Sequence, residues 1–387
     1  MNAVVYGAGK IGRGFIGMLF SQAGYTVTFI DIIPSLIDAL NARASYPVRA
    51  IGGSETIVTH FTAISGDDMK ATAEAIAAAD IMATSVGAGS LAAIAPNIAE
   101  GLRRRSTPLD ILLCENLMDA DVVLRGHLAP LLSDAELQRT GLVEVSIGRT
   151  VPIQTPSMLD GDPLRLCVEA YAYLPVDSDA FKCPLPSIPG LIPHSPFGYY
   201  MERKLFLHNM GHALSAYLGS YAGHVLMSDA LADADIRLMA RRAMEESLRA
   251  LCLKYGVDAL VVLSYIDILL PRFACAELGD TCARVGSDPM RKLAAHDRLI
   301  GAAHACEAMG IVPAFICVGA AGALHQYLID KDASAADALT QLTALDPDST
   351  LAKHILALHA LFTQHAPLST IRAHAQSIHN AAAPDVI

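Results

Sequence analysis

Two stretches of this 387-residue chain hold residue types at spacings that could do chemistry. The first is Gly7-Ala8-Gly9-Lys10-Ile11-Gly12, directly after the apolar run Val4-Val5-Tyr6. A GxGxxG turn between a strand and a helix has a use for each glycine. The first allows the tight turn, the second lets the backbone approach a pyrophosphate, and the third lets helix pack on strand. The free N–H groups of the helix start then face the anion. Glycine-rich turns are common, so the pattern gains weight only from its context. Here an acid, Asp31, closes the next strand-like run Val27-Thr28-Phe29-Ile30, 19 residues after Gly12. Its carboxylate accepts from ribose hydroxyls and repels a 2′-phosphate. No Arg or Lys stands in Ile32-Ile33-Pro34-Ser35. The expected cofactor is therefore NAD rather than NADP, bound by Gly7, Ala8, Gly9, Lys10, Ile11, Gly12 and Asp31. The plain alternative is a tight turn followed by a capping aspartate.

The second stretch is Glu202-Arg203-Lys204-Leu205-Phe206-Leu207-His208-Asn209-Met210-Gly211-His212. On an α-helix, Lys204 and His208 lie one turn apart, as do His208 and His212. Asn209 and His212 are neighbours at i, i+3. Lys204 and Asn209 fall about 140° apart around the axis, so they line one pocket only at its edges. A lysine works as a general base only where burial lowers its pKa. Spacing alone is better described by a surface lysine, a capping asparagine and a packed histidine. A zinc site at His208 and His212 lacks the glutamate of HExxH and an evident third ligand, so no metal is expected.

The elements that must position these residues follow from periodicity. Over the first 150 residues, strand-like runs alternate with amphipathic helical stretches. Strands are expected at Asn2–Tyr6, Thr26–Ile30, Asp80–Val86, Asp110–Cys114 and Val143–Ile147, and helices at Lys10–Ala23 and Pro34–Ala44. Such alternation implies parallel pairing with helices on both sheet faces. The stretch Pro152–Pro196 holds nine of the twenty prolines, too many for long helices. It contains one strand-like segment, Leu164–Tyr173. From Tyr199 the pattern is helical, at Met201–Leu218, Asp233–Tyr255, Asp258–Leu270 and Leu351–Phe362, the last capped by Asp348 or Ser349. The expected architecture is an α/β Rossmann-type domain with a parallel-rich sheet over residues 1–195. A mainly α-helical substrate and catalytic domain follows over residues 196–387.

Composition bounds the partners. Apolar residues make up 53% and charged residues 17%, ample for a packed core and incompatible with disorder. With 28 Lys and Arg against 39 Asp and Glu, the net charge is −11. That leaves no electrostatic footprint for nucleic acid or an anionic membrane. An anionic ligand must be held by a local cationic patch. The eight cysteines form no CxxC pair, which suggests reduced thiols in a cytoplasm. MNAVVYGAGK has no cationic region before its apolar run, so it does not read as a signal peptide. The uncharged stretch Ala308–Leu324 contains Pro313 and glycines and reads as a buried helix pair broken near the proline, not a membrane span.

Lys204-x4-Asn209-x2-His212 resembles the signature of the long-chain polyol dehydrogenases, a metal-independent NAD(P)-dependent family. The likeness is greatest to its members that act on mannitol 1-phosphate. Gly7 to Gly17, Leu40-Asn41-Ala42-Arg43 and Cys114-Glu115-Asn116 carry it in the first half. Glu202 to Ala213, Ala216 to Gly219, Ala243 to Ser247, Arg284-Val285-Gly286 with Pro289, Arg291 to Leu293 and Asp297 to Leu299 carry it in the second. It runs from residue 1 to about 330, and nothing is transferred to the last fifty residues. The likeness implies that Lys204 removes the proton of a secondary alcohol. Asn209 and Asn116 would hold the oxygen that gains charge, and His212 would orient Lys204 or the substrate. It implies interconversion of mannitol 1-phosphate and fructose 6-phosphate with NAD, as part of polyol metabolism. Arg203, Arg284, Arg291, Lys292 and Arg298 are candidates for the substrate phosphate, because arginine forks suit phosphate oxygens; the plain alternative is a solvated helix face. One departure stands out: the family's Asp-Arg pair near residue 147 is here Gly148-Arg149. Two alternatives remain: a non-phosphorylated polyol or hexuronate dehydrogenase of the same family, and a non-catalytic NAD-sensing protein. Monomer and dimer are both open.

Overall fold

The computed structural model describes residues 1–382. It divides into two compact units, Met1–Tyr200 and the chain from Met201 onward.

The first unit contains eleven strands among its described residues: β1 Asn2–Tyr6, β2 Thr26–Asp31, β3 Ser45–Ala50, β4 Glu55–Thr59, β5 Phe61–Ser65, β6 Ile81–Thr84, β7 Leu109–Leu113, β8 Thr140–Glu144, β9 Leu166–Val168, β10 Leu174–Asp177 and β11 Leu191–His194. Six form one sheet in the order β5-β2-β1-β6-β7-β8, and every pairing in it is parallel. This is the doubly wound order, reversing between β1 and β6, where such sheets bind ligands at the strand carboxyl ends. Its central strands are buried on both faces, hence the unbroken apolar runs that mark them in the sequence. The expected strand at Val143–Ile147 starts earlier, at Thr140, because pairing with β7 fixes its register. Val145 makes only a single antiparallel bridge, to Val176. Periodicity missed β3, β4, β5, β10 and β11, and the strand expected at Leu164–Tyr173 is only β9, Leu166–Val168. The β3–β4 hairpin joins β9 in a small separate sheet, with Pro47 outside the stretch that β9 pairs. A proline is tolerated at such a position. In the proline-rich stretch the helices are short, such as Pro156–Leu159, as expected.

The second unit is helical throughout its described residues apart from turns. Its centre is Met210–Tyr221, where nearly every residue from Met210 to Gly219 is buried. Such a helix has no solvent face and therefore little amphipathic signal. It packs closely on its neighbours because glycines leave room. A Cβ on Gly211 would come within 2.7 Å of Met244 Sδ, and one on Gly322 within 3.1 Å of the Tyr217 Cβ. Ala234–Tyr255 and Ala259–Phe273 lie where expected, each capped by the preceding aspartate, Asp233 or Asp258. Ser349, not Asp348, caps the helix Thr350–Thr363. The Pro313 break separates Ile300–Ala308 from the buried helix Ala314–Leu328.

Glu246 holds that second helix in place. Its carboxylate, 2% exposed, accepts from the N–H groups of Phe315 and Ile316 at 3.0 to 3.1 Å. Burial raises its pKa, while these bonds and nearby His379 oppose the shift. An acidic group at a helix start meets donors that have no partner inside the helix.

Among the described residues, no helix is long and apolar enough to cross a membrane. None of the eight cysteines is in a disulfide; five are buried and three half-buried.

Candidate active site

In the first unit the dinucleotide turn is held by contacts no side chain could share. Gly7 adopts φ +98°, and a Cβ there would meet the carbonyl oxygen of Ser85 at 2.4 Å. A Cβ on Gly12 would stand 1.8 Å from the carbonyl oxygen of Gly7. At Gly9 a Cβ would meet nothing within 4 Å, so the backbone borders open space, as approach by a pyrophosphate requires. Ala8 is buried, Ile11 packs on the core, and Lys10 Nζ reaches the carbonyl of Pro152 at 3.5 Å.

Asp31 lies at the end of β2, as expected, but it also builds the turn. Its Oδ2 accepts from Ala8 N–H at 2.8 Å, and its Oδ1 from the N–H groups of Ile32 and Ile33 at 2.8 and 3.1 Å. A carboxylate offers about four acceptor positions, so about one is left for a ribose hydroxyl. Ile32 and Ile33 stand exposed beside it and supply no cation for a 2′-phosphate. The donors, the open backbone and the acid fit a dinucleotide with a free ribose 2′-hydroxyl.

Two buried arginines, given no role from the sequence, clamp this region. After the turn the chain forms a π-helical segment, Gly12–Gly17, before the α-helix Met18–Gln22. Arg13 Nε donates to the carbonyl of Ala8 at 2.7 Å, and its Nη1 to that of Leu164 at 3.0 Å. Arg149 donates to the carbonyls of Tyr171 and Gly14 at 2.6 and 3.1 Å, with its guanidinium 4.8 Å from the Phe15 ring centre. Burial lowers the pKa of Arg13 and pushes that of Arg149 down to about 10. The motif Gly12-Arg13-Gly14 was visible in the sequence, but nothing there tells a clamp from a surface cation. The Gly148 departure has a spatial counterpart: a Cβ there would come 3.0 Å from Tyr171 Cε1. The tyrosine ring crowds the space a larger residue would enter.

Asn116 is exposed just beyond the carboxyl end of β7. Its neighbour Glu115 is 3% exposed and accepts from the N–H groups of Val86 and Gly87 at 3.0 and 2.8 Å. That carboxylate ties the ends of β6 and β7 together and fixes the turn on which Asn116 sits.

In the second unit, the stretch expected as regular α-helix is not regular. Arg203–Asn209 is π-helical, and Met210 N–H bonds the carbonyl of Leu205, five residues back. This i→i+5 bonding widens the turn, so residues five apart come nearly over one another. Lys204 and Asn209 are therefore brought toward one face, where an α-helix would set them well apart. Both are half-buried, as is His212, while His208 between them is buried. The imidazole of His208 packs against Phe273 at 5.1 Å. Its pKa falls well below the ordinary value, first through burial, then through Arg272, His212, Lys204 and Arg298. His212 stacks on Phe273 at 4.6 Å, with Nε2 3.6 Å from Asp280 Oδ2. Among the described residues no group of three His, Cys, Asp or Glu side chains could hold a metal ion.

The five phosphate candidates are not equivalent. Arg284 forks onto Asp280 at 2.6 and 2.5 Å. Arg291 pairs with Asp288 at 2.9 Å, and Arg298 with Asp297 at 2.7 Å. Arg203 lies over the Tyr265 ring at 4.2 Å. Lys292 is 4% exposed, and burial, then Arg298 and Arg291, push its pKa down to about 8.

The geometry at Asp31 generates a cofactor test. Asp31→Ala strips three N–H groups of their acceptor and should weaken any dinucleotide. Asp31→Ser with Ile32→Arg keeps a short acceptor and adds a cation. The double variant should move the ratio of kcat/KM for NAD over NADP toward NADP by tenfold or more, the scale of about 1.5–3 kcal/mol for a hydrogen bond to a charged group. An unchanged ratio would show that Asp31 does not select the cofactor.

The comparisons agree with this architecture. The family model described as the mannitol dehydrogenase Rossmann domain matches residues 1–190, and that described as the mannitol dehydrogenase C-terminal domain matches residues 197–367. A solved ternary complex of Pseudomonas fluorescens mannitol 2-dehydrogenase with NAD and D-mannitol is similar over 97% of this chain and 94% of that one, at 15% identity and a TM-score of 0.78. A substrate-free D-sorbitol dehydrogenase matches 96% of this chain and 94% of its own, at 16% identity and a TM-score of 0.75. At such identities the solved structures establish the shared fold. The two family models together span both units from residue 1 to 367, and the chain belongs to the mannitol dehydrogenase family.

Proposed function

We propose that this protein is an NAD-dependent, metal-independent mannitol-1-phosphate 5-dehydrogenase, interconverting D-mannitol 1-phosphate and D-fructose 6-phosphate with Lys204 as general base. Membership of the family supports the broader assignment, an NAD-dependent polyol dehydrogenase. The phosphate rests on one observation. In a protein of net charge −11, Arg272, His212, Lys204 and Arg298 all help to lower the pKa of the buried His208, and Arg298 and Arg291 that of the buried Lys292. Cations gathered this way, two of them buried, favour an anionic ligand.

When bound, NAD supplies the acceptor for the hydride leaving the alcohol carbon. The chain's own residues manage the proton and the charge. Lys204, in its neutral form, takes the hydroxyl proton. Asn209, brought toward the face of Lys204 by the π segment, donates to the oxygen as it gains charge. Asn116 is the second proposed donor to that oxygen. His212 orients the lysine or the substrate hydroxyl, and Lys292 with Arg298 and Arg284 serves the phosphate. Reduction runs the same proton back from the lysine ammonium.

A reading with unphosphorylated mannitol or sorbitol as substrate has one observation in its favour: Arg284, Arg291 and Arg298 already have carboxylate partners. Comparing NADH consumption with fructose 6-phosphate and with fructose, both under chelator, decides between them. Turnover of the phosphate ester alone is expected. Equal turnover of both sugars would favour the unphosphorylated substrate, and activity lost to chelator and restored by zinc would overturn the lysine mechanism.

Lys204→Ala should cut kcat by about 10²–10⁴-fold, the usual contribution of general base catalysis. NAD binding should survive, because the dinucleotide turn belongs to the other domain. In the wild type, alcohol oxidation should rise with pH as the lysine loses its proton, and ketone reduction should be favoured at lower pH. Near-normal turnover in the variant with the alkaline rise intact would assign the base elsewhere, with His212 the first residue to test.

Lys292 gives a second pH dependence. With a pKa pushed down to about 8, it is charged below that pH and neutral above it. Affinity for fructose 6-phosphate, measured by calorimetry in the NAD complex, should therefore fall as pH rises through about 8. Lys292→Arg should carry high affinity to higher pH. Lys292→Met should weaken binding by roughly 10- to 150-fold at pH 7, from about 1.5–3 kcal/mol for a charged hydrogen bond. Unchanged affinity in Lys292→Met would remove this residue from the phosphate site.

A further inference from the structure

We propose that Glu144 is a positioning residue for the turn that carries Asn116, closing the far end of that turn as Glu115 closes the near end. The inference deepens the reading in which Asn116 donates to the substrate oxygen. Its kinetic consequence rests on that reading; its structural consequence does not.

The turn runs from Cys114 to Asp119, between β7 and the helix Ala120–Leu128. At its start, Cys114 N–H donates to the carbonyl of Thr84 at 3.0 Å, and the Glu115 carboxylate takes the N–H groups of Val86 and Gly87. At its end the usual local device is missing. A helix start is commonly capped by the side chain of the residue before it. Asp119 holds that place, but it adopts φ +54° and its side chain makes no capping bond. Glu144, the last residue of β8 and 24 residues away in the chain, supplies a carboxyl instead: its Oε1 accepts from Ala120 N–H at 3.1 Å. Ala120 is buried, and a buried N–H without an acceptor is costly. Asn116 is thus exposed on a turn anchored by one glutamate at each end.

The charged groups that act on Glu144 are all acidic: Asp121 and Asp119 at the helix start, and Asp177 from β10. Asp179, beyond β10, acts in turn on Asp177. Burial first, then Asp121, push the Glu144 carboxyl from its ordinary 4.5 up to about 7, with the Ala120 bond opposing. The neutral form is therefore favoured in the folded chain. The stability gained from that proton is present in full below 4.5 and is lost as pH rises through about 7. Both forms can accept from Ala120 N–H, because a protonated carboxyl keeps acceptor capacity. The ionised oxygen is the stronger acceptor, yet that gain is outweighed here, since the carboxyl stays neutral well past its ordinary value. An arrangement in which Glu144 reaches water and stands off from the aspartates escapes this cost, so ionisation favours it. The far anchor of the Asn116 turn is accordingly tight below neutral pH and looser above it.

The test uses the full-length protein, labelled with nitrogen-15 for NMR. The Ala120 amide is identified with Ala120→Gly and the Asn116 side-chain amide with Asn116→Ala. In the wild type the Ala120 signal should move with a midpoint of about pH 7, and the Asn116 signals should move with it. In Glu144→Gln, which keeps an acceptor and carries no charge, both should stay still over that range. In turnover, Glu144→Gln should keep the wild-type kcat below neutral pH. Glu144→Leu removes the acceptor and should lower kcat roughly 2- to 12-fold, the scale of one hydrogen bond, with KM for NAD little changed. In an Asn116→Ala background the same Leu substitution should cost nothing further, because it acts through Asn116. Thermal unfolding verifies that each variant is folded; should Glu144→Leu unfold, the two titrations decide alone. An Ala120 signal that stays still, or that titrates alike in wild type and Glu144→Gln, overturns the inference, and so do Asn116 signals that ignore the titration. The full Leu penalty in the Asn116→Ala background overturns it as well, since Glu144 would then be merely structural. Ala120 and Asn116 signals that titrate as expected, alongside an Asn116→Ala enzyme with wild-type kcat, would uphold the positioning and defeat the proposed role of Asn116 instead.

Discussion

The N-terminal domain depends on how closely one turn can be wound. The carbonyl oxygen of Gly7 occupies the place where a Cβ on Gly12 would be, at 1.8 Å. That contact brings the first helix down onto β1 and leaves the backbone at Gly9 open to an anion. Everything added around the turn preserves it. Asp31 binds Ala8, Ile32 and Ile33, Ser85 donates to Gly7 at 2.9 Å, and Arg13 and Arg149 reach backbone carbonyls on either side. A buried guanidinium with several carbonyl partners is costly to misplace, because each lost partner leaves a charged donor unsatisfied. These arginines thus act as struts, and the absence of an acid beside Arg149 in the chain agrees with that structural use.

The C-terminal domain solves a different problem. It carries a half-buried lysine, with polar groups beside it, next to an almost wholly buried helical core. The π segment Arg203–Asn209 changes the angular spacing between Lys204 and Asn209. Deep packing then continues through Met210–Tyr221, where Gly211 accommodates Met244. His208 is buried among cations and held neutral, so it adds no further positive charge next to the lysine.

Charge is distributed unevenly between these tasks. The chain is acidic as a whole, yet Lys204, Arg272, Lys292 and Arg298 belong to one interacting group. Asp280, Asp288 and Asp297 each hold an arginine in that neighbourhood. Such pairing keeps the cations ordered, and it limits the repulsion that burying several like charges would cause.

How much of this was legible in the sequence differs by scale. The dinucleotide turn, the parallel sheet, the acid at the end of β2 and the helical second half were determined by local patterns: glycine spacing, apolar runs of strand length and helical periodicity. These depend on interactions within a few residues or on burial that repeats along one element. Hidden from such patterns were the β3–β4 hairpin, the start of β8 at Thr140, the π form of Arg203–Asn209 and the pairing of Arg284, Arg291 and Arg298. Each is set by a partner distant in sequence or by hydrogen-bond registers of nearly equal energy. A lysine and an asparagine five residues apart look misaligned on an ideal α-helix. An arginine looks equally suited to phosphate or to aspartate. Only the tertiary structure decides, because it alone fixes which carbonyl each N–H reaches and which carboxylate stands beside each guanidinium.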